Sequence, residues 1–187
     1  IIDLELEKIE LIINKIAADP EDEDIRRVEL ELWKKIRTMA RKGRRTGLGI
    51  TAEGDMLAAL GLRYGTPEAT AFAVKVQKTL ALEAYRASVK MAAERGAFEI
   101  FDARKEEKNP MIGRIREADP ELYAEMVKHG RRNIAMLTIA PTGTTSLMSQ
   151  TTSGIEPVFR PVYKRRRKIN PSDKDTHVDY EDETGEI

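Results

Sequence analysis

The sequence predicts an α/β protein in which helices dominate and only a few short strands occur. Charged residues make up 34% of the 187 residues and aromatic residues only 5%, which favours a well-solvated helical protein over a β-sandwich. Apolar residues recur at helical spacing along much of the chain, whereas residues 133–140 form a short apolar run that is typical of a buried strand. The length is sufficient for one domain with its own core.

The first 43 residues predict a helical hairpin, because two amphipathic segments follow each other with a tight connection. Asp19, Pro20 and Glu21 have the order of an N-cap, a first helical residue and a first-turn acid for the second helix. Trp33 lies beside the second apolar stripe, and we expect it to pack. The stripes are Ile2, Leu6, Ile9, Ile13 and Ile16 in the first helix, and Ile25, Val28, Leu32, Ile36 and Met39 in the second.

Two further helices are predicted from the residues at their ends. One covers residues 53–60 before Gly61, and a long one begins at Thr66 and Pro67 and ends before Gly96. The apolar face expected for the long helix is Phe72, Val76, Leu80, Ala84, Ala87 and Met91, with Tyr85 and Ser88 as core or interface residues.

The segments after the long helix predict less regular structure. Residues 97–101 alternate like an edge strand or an aromatic anchor, and residues 102–113 are charged and contain Asn109-Pro110, which is typical of a surface loop. Asp119-Pro120 then predicts the start of a short helix that ends near His129.

The residues after the predicted strand have the layout of an anion site. Pro141 ends the strand because it has no N–H to donate, and a glycine and four hydroxyl residues then lead into a helix start. Free N–H groups at a helix N-terminus favour an anion, and no lysine follows Gly143 as the Walker pattern requires. A threonine-rich helix cap without a ligand is the alternative. The candidate phosphate-binding residues are Thr142, Gly143, Thr144, Thr145 and Ser146.

Other candidate sites are weaker. Residues 47–52 match a dinucleotide fingerprint formally, but basic residues precede them where a buried strand belongs. Arg44 and Arg45 suit either an anion or a helix C-terminus. The basic run 164–168 suggests nucleic acid, although the net charge of zero favours an exposed strand or subunit surface. Two isolated histidines and no cysteine predict no metal site.

The composition also bounds the setting of the protein. The absence of cysteine excludes disulfides and fits a cytoplasmic location. No apolar run has the roughly 20 residues of a membrane span, and we expect no membrane contact. The chain begins with Ile1 inside a helical pattern, which suggests a fragment of a longer polypeptide.

The loop motif, followed by Ser153-Gly154-Ile155-Glu156-Pro157, resembles the large catalytic subunit of ribonucleotide reductase. The likeness is greatest to the adenosylcobalamin-dependent class II branch, and it runs from about residue 44 to residue 163. It implies a C-terminal-side fragment of the ten-stranded α/β barrel, in which residues 142–146 hold the phosphates of a ribonucleotide. Glu156 and Pro157 then belong to a structural motif, where Glu156 is expected to bond loop N–H groups.

The resemblance also implies what the chain lacks. The family reduces ribonucleotides to 2′-deoxyribonucleotides through a cysteine thiyl radical, and no cysteine is present here. No catalytic residue is therefore predicted, and the fragment is expected to be inactive alone. Adenosylcobalamin is implied only for the full-length parent.

The expected organisation is a single fragment with a hairpin (1–43), a barrel segment (44–168) and a polar tail (169–187). Its expected partners are the ribonucleotide, the rest of the polypeptide and further copies in a homo-oligomer, with self-association or partial disorder around Leu137 and Val158. A non-enzymatic helical binding or scaffold module is the alternative, and a nucleic-acid module using residues 164–168 is a weaker third.

Overall fold

The computed structural model describes residues 1–160 and the strand residues 181–182 and 185–186. This part of the chain is mostly helical. Its elements are, in order, α1 (Ile2–Ala17), α2 (Glu23–Gly43), α3 (Glu53–Ala59), α4 (Pro67–Arg95), a 3₁₀ helix (Ala103–Glu106), α5 (Pro110–Ala118), α6 (Pro120–His129), α7 (Gly143–Ser149), β1 (Glu181–Asp182) and β2 (Gly185–Glu186).

Helices α1 and α2 pack together as the predicted hairpin, and Ile2, Ile9 and Ile13 are buried. The predicted start of α2 was wrong by one turn. Asp22 is its N-cap and accepts a hydrogen bond from the N–H of Asp24 at 2.9 Å. Asp19 instead accepts from the N–H of Glu21 at 3.2 Å, because it belongs to the turn between the helices.

The predicted apolar stripe of α2 does not face α1. All five of its residues are exposed, whereas Leu30, Trp33 and Ala40 on another face are half-buried. Arg37 on that face donates to Glu10 of α1 at 2.9 Å. The sequence of α2 contains two apolar stripes, and spacing alone does not tell which one faces the neighbouring helix.

The caps of α4 agree with the prediction. Thr66 accepts from the N–H of Ala69 at 3.3 Å, Pro67 is the first helical residue and Gly96 is the C-cap. The expected apolar face was wrong over the last turns, because Ala87 and Met91 are exposed. The buried face there consists of Tyr85, Ser88, Val89 and Ala92, in which a serine interrupts the hydrophobic pattern.

The loop predicted for residues 102–113 is wrong, because a 3₁₀ helix and the start of α5 lie there. Asn109 caps α5 by accepting from the N–H of Met111 at 3.0 Å, and Ile112 and Ile115 are buried. The predicted start of α6 is confirmed, because Asp119 accepts from the N–H of Leu122 at 2.9 Å.

The core lies between α4, α5, α6 and the segment that precedes α7. Residues 97–101 form no strand, and Phe98 is an aromatic anchor that is 3% exposed and packs edge-on against Phe101. The buried cluster consists of Tyr85, Val89, Ile112, Ile115, Leu122, Met126 and Met136.

The predicted strand over residues 133–140 contains one parallel bridge, between Leu48 and Leu137. Leu48 donates its N–H to Met136, and Thr138 donates to Leu48 at 2.9 Å. The backbones approach so closely at Gly49 that an added Cβ would lie 2.3 Å from the Thr138 carbonyl oxygen. The two segments therefore run side by side in parallel, and the further short strands of the barrel segment stay a prediction.

Strands β1 and β2 pair antiparallel within the polar tail. The basic run 164–168 and most of that tail lie outside the described residues.

Candidate phosphate-binding loop

Helix α7 begins where the parallel segment ends, and its N-cap residue does not cap it. Thr142 has a left-handed backbone conformation, with φ 50° and ψ 25°, and its side chain makes no capping hydrogen bond. Its Oγ1 instead accepts from the N–H of Gly154 at 2.6 Å and lies 3.2 Å from Oγ1 of Thr51. Thr142 therefore ties the loop to the downstream motif.

The first turn of α7 presents unused donors. The N–H groups of Gly143, Thr144 and Thr145 have no acceptor within a helix that starts at Gly143. Within residues 1–160, none of the three donates to another backbone or side-chain group. All three residues are exposed, so a ligand can reach this helix start.

Ser146 lies on the inner side of the same turn and is 4% exposed. Its Oγ donates to the Gly143 carbonyl oxygen at 2.9 Å and lies 3.2 Å from Oγ of Ser153. The hydroxyl groups of the loop thus divide into those of half-buried Thr142 and buried Ser146, which hold its shape, and exposed ones on Thr144 and Thr145.

The downstream motif rests on the start of α3. The N–H of Glu53 donates to the Gly154 carbonyl oxygen at 3.2 Å. Asp55 and Thr152 exchange two hydrogen bonds, of 2.9 Å from the Thr152 N–H and 3.3 Å to the Thr152 hydroxyl. Sequence reasoning missed Asp55, although an acidic residue in a first helical turn is a usual sign of such a backbone acceptor.

Glu156 and Pro157 pack through their backbone on α3. A Cβ added at Gly54 would lie 2.6 Å from the Glu156 carbonyl oxygen and 2.8 Å from Cα of Pro157. In the described structure, the Glu156 carboxylate forms no hydrogen bond with the loop N–H groups. At Gly154, where φ is +27°, an added Cβ would lie 2.7 Å from Oε2 of Glu156.

A largely apolar groove of about 1130 Å³ lies beside the segment that leads into the loop. It lies between α3, α4, α5 and the segment that leads into the loop. Buried Glu53 is one of its polar lining residues and accepts from Gln77 at 2.9 Å. Apolar lining residues include Leu57, Val74, Leu82, Ile115, Ile139 and Ile155.

Arg44 lies at the other end of the parallel pair, away from the loop. Its Nη2 is 2.6 Å from Oδ1 of Asp3, and Arg132 and Arg95 approach the same carboxylate at 3.6 and 3.7 Å. The hydrogen bond from Arg44 holds the pKa of the Asp3 carboxyl below its ordinary value of 3.8. Arg44 therefore ties α1 to the end of α2, and Arg45 beside it is exposed.

Two further findings concern the described residues alone. Among them, no helix is both long enough and apolar enough to cross a membrane. They also contain no group of three or more histidine, cysteine, aspartate or glutamate side chains placed to hold a metal ion.

A family model described as "Ribonucleotide reductase, barrel domain" matches residues 24–176. The chain belongs to the ribonucleotide reductase barrel-domain family. This confirms the resemblance inferred from the loop and the downstream motif, and it makes the chain part of a ribonucleotide reductase catalytic subunit. The number of barrel strands stays a prediction.

Similar proteins agree with this family membership. The chain is 36% identical over 127 residues to a vitamin B12-dependent ribonucleoside-diphosphate reductase of Mycobacterium tuberculosis, which covers 67% of the chain and 16% of that protein. A protein of the same name from Thermoplasma acidophilum is 33% identical over 142 residues, with 76% and 16% covered. A ribonucleoside-diphosphate reductase subunit alpha of Treponema pallidum is 30% identical over 134 residues, with 67% and 15% covered.

The chain thus spans about one sixth of the length of these ribonucleotide reductases.

Proposed function

We propose that residues 142–146 hold the phosphate groups of a ribonucleotide in a ribonucleotide reductase catalytic subunit. The observation that carries this proposal is the uncapped start of α7, where three exposed N–H groups lack an acceptor in the described structure. Such groups, with the positive end of the helix dipole, favour an anion. The alternative of a simple threonine cap is disfavoured, because the Thr142 hydroxyl bonds to Gly154 instead of the helix.

The five loop residues take two roles in this proposal. Gly143, Thr144 and Thr145 donate their backbone N–H groups to phosphate oxygens, and the two exposed threonine hydroxyls add further donors. Thr142 and Ser146 keep the turn in shape through their bonds to Gly154 and to Gly143. Glu156 and Pro157 support the loop from α3. The loop breaks no bond, and its contribution is the positioning of the ribose.

The reaction proposed for the longer protein is the radical reduction of a ribonucleotide to a 2′-deoxyribonucleotide. The chain contains no cysteine, so the thiol groups of that reaction come from outside it, and these 187 residues alone are expected to be inactive. We assign no catalytic residue within the chain.

Adenosylcobalamin is the proposed radical source of the longer protein, in keeping with relatives named vitamin B12-dependent. The described residues do not fit a role in holding it. Among residues 1–160, the one buried side-chain atom without a hydrogen-bond partner is Nε of Arg44, and Arg44 lies in the ion cluster around Asp3.

The remaining partners are proposed from the surfaces of the chain. The apolar groove beside the segment that leads into the loop suits further segments of the same polypeptide, because an open groove of this size leaves apolar side chains in contact with water. Exposed Val158 and half-buried Leu137 lie near the loop, where self-association was predicted. A homo-oligomer and a cytoplasmic location complete the proposal.

The test compares two substitutions at one residue of the loop. Thr144→Pro removes an N–H that the helix does not use, so α7 can still form, whereas Thr144→Ala keeps that N–H. We expect pyrophosphate and ADP to shift the amide resonances of Gly143, Thr144 and Thr145 in the original chain. Thr144→Ala is expected to weaken binding about threefold, and Thr144→Pro at least tenfold, in line with the loss of one hydrogen bond to a charged group.

Circular dichroism checks that both variants remain folded. Equal binding by the two variants would show that the N–H groups do not hold the ligand. The absence of any shift with either ligand would overturn the phosphate role and favour the non-enzymatic binding or scaffold module.

A further inference from the structure

The start of α3 contacts the loop across a long stretch of the chain. Oγ1 of Thr51 lies 3.2 Å from Oγ1 of Thr142, which is 91 positions further along. The same Oγ1 of Thr51 donates to the Thr152 carbonyl oxygen at 3.3 Å. Thr51 therefore contacts both the residue before α7 and the segment after it, although it belongs neither to the loop motif nor to the downstream motif.

The protons of these hydroxyl groups follow one direction. A threonine hydroxyl has a single proton to donate, and Thr51 donates it to Thr152. The proton between the two hydroxyl groups therefore comes from Thr142. Thr142 also accepts from the N–H of Gly154 at 2.6 Å. Thr51 is thus the acceptor on which the Thr142 hydroxyl depends.

The backbone of Thr142 requires support of this kind. With φ 50° it lies in the left-handed region, which a β-branched residue rarely adopts. Such a conformation persists only where surrounding groups hold it. Ala52, directly after Thr51, is also left-handed, with φ 65°, and it is the N-cap of α3. The bond between Thr51 and Thr142 therefore joins two strained turns, each at the start of a helix.

Asp55 supports the same contact through Thr152. Oδ2 of Asp55 accepts from the Thr152 N–H at 2.9 Å, and the Thr152 hydroxyl accepts from the Asp55 N–H at 3.3 Å. The carbonyl oxygen of Thr152 is the acceptor for Thr51, and Gly154, two residues further on, donates to Thr142. Asp55 therefore fixes the segment that carries a partner of each hydroxyl group.

We propose that Thr51 and Asp55 are positioning residues of the phosphate-binding loop, which hold Thr142 in the conformation that leaves the N–H groups of residues 143–145 open to a ligand. Thr51 acts on Thr142 directly, and Asp55 acts through Thr152. Neither Thr51 nor Asp55 is assigned a contact with phosphate. The proposal rests on the phosphate role proposed for the loop, and loss of either side chain is expected to weaken binding while the helices stay folded.

The first test compares two substitutions of Thr51 in the full chain by calorimetric titration with pyrophosphate. Thr51→Val keeps the shape of the side chain and removes the acceptor of Thr142, whereas Thr51→Ser keeps the hydroxyl. We expect Thr51→Val to weaken binding about fivefold and Thr51→Ser less than about twofold, in line with the loss of one neutral hydrogen bond. The control is Thr79→Val, since the Thr79 hydroxyl donates to the Lys75 carbonyl oxygen at 3.0 Å within α4, and that variant should bind as the original chain does.

A second pair of variants tests Asp55 in the same titration. Asp55→Leu removes the acceptor of the Thr152 N–H, and Asp55→Asn keeps an oxygen at that position. Asp55→Leu is expected to weaken binding about tenfold and Asp55→Asn about threefold, because a hydrogen bond to a charged acceptor is the stronger one. Circular dichroism checks the fold, and the Thr51 variants test the proposal even where Asp55→Leu unfolds.

A measurement without ligand separates positioning from stability. The carbon chemical shifts of Thr142 report its backbone conformation, and they are expected to change in Thr51→Val but not in Thr51→Ser or Thr79→Val. The urea midpoint should change little in these variants, because Thr51 is exposed. A lower urea midpoint with unchanged binding and unchanged Thr142 shifts would indicate a merely structural contact and overturn the proposal.

Equal binding by Thr51→Val and the original chain, or equal weakening by Thr51→Val and Thr51→Ser, would also overturn it. The phosphate role of the loop would stand in both cases, because the original chain would still bind pyrophosphate. Absence of binding by the original chain would instead overturn that role, and with it this proposal.

Discussion

The polar groups of the buried arginine at one end of the core are hydrogen-bonded within the protein, whereas the loop at the other end leaves polar groups without partners in the described structure. Arg131 is 2% exposed, and its guanidinium donates to Glu106 at 2.6 Å and to two backbone carbonyl oxygens at 3.0 and 3.1 Å. It also lies 5.4 Å from the centre of the Phe98 ring. The start of α7 instead leaves three N–H groups without an acceptor in the described structure.

This difference assigns stability to the residues around Arg131 and ligand binding to the residues of the loop. A buried charge is tolerated only when its hydrogen bonds are satisfied, so the surroundings of Arg131 are fixed by the fold itself. A phosphate site requires the reverse, because donors already used within the protein cannot bind a ligand. We therefore expect substitutions near Arg131 to change the free energy of unfolding, and substitutions in the loop to change ligand binding.

The largest expected effect follows from Arg131→Met. The substitution removes one partner of a buried ion pair and leaves the Glu106 carboxylate and two carbonyl oxygens without their donor. We expect a loss of about 3–5 kcal/mol in the free energy of unfolding, measured by urea titration.

The matched control for Arg131 is Arg86→Met, which removes an arginine that is 49% exposed and pairs with Glu83 and Asp119. Exposed ion pairs contribute little, so its effect should stay below about 1 kcal/mol. Similar losses in the two variants would contradict the difference drawn between the two regions.

The sequence predicted where helices begin better than it predicted which face of each helix is buried. Thr66-Pro67 and Asp119-Pro120 identified two helix starts, because capping depends on local residues alone. Asn109-Pro110 suits a turn as well as a helix start, so the beginning of α5 was missed.

Long-range contacts were beyond the sequence. Nothing around Arg131 indicates that it is buried, since its partners Glu106 and Phe98 lie 25 and 33 positions away along the chain. The loop was identified from its motif because residues 142–146 are contiguous. Its support by Asp55 was missed, because that contact joins positions 97 residues apart.

A smaller effect on the free energy of unfolding is expected for Ser88→Ala, and Ser149→Ala is its comparison. The Ser88 hydroxyl is buried, donates to Asn133 at 2.9 Å and accepts from the N–H of Arg132 at 3.0 Å. Ser88→Ala leaves these groups unpaired in the core, and we expect a loss of about 1–3 kcal/mol in thermal or urea unfolding.

The Ser149 hydroxyl in α7 bonds to the Thr145 carbonyl oxygen at 3.1 Å at an exposed position. Water can replace that bond, so Ser149→Ala should change the free energy of unfolding by less than about 0.5 kcal/mol. An equal loss at both serines would mean that the loop is as tightly constrained as the core.

Gly143→Ala is expected to have the smallest effect on stability while it weakens ligand binding. An added Cβ at Gly143 meets no atom within 4 Å, so the free energy of unfolding should change by less than about 0.5 kcal/mol. A methyl group at this position nevertheless hinders the close approach of a phosphate to the backbone. Calorimetric titration with pyrophosphate should therefore show weaker binding at unchanged stability. Unchanged binding would mean that the ligand does not approach the loop at Gly143, and the glycine would then serve only the turn that leads into α7.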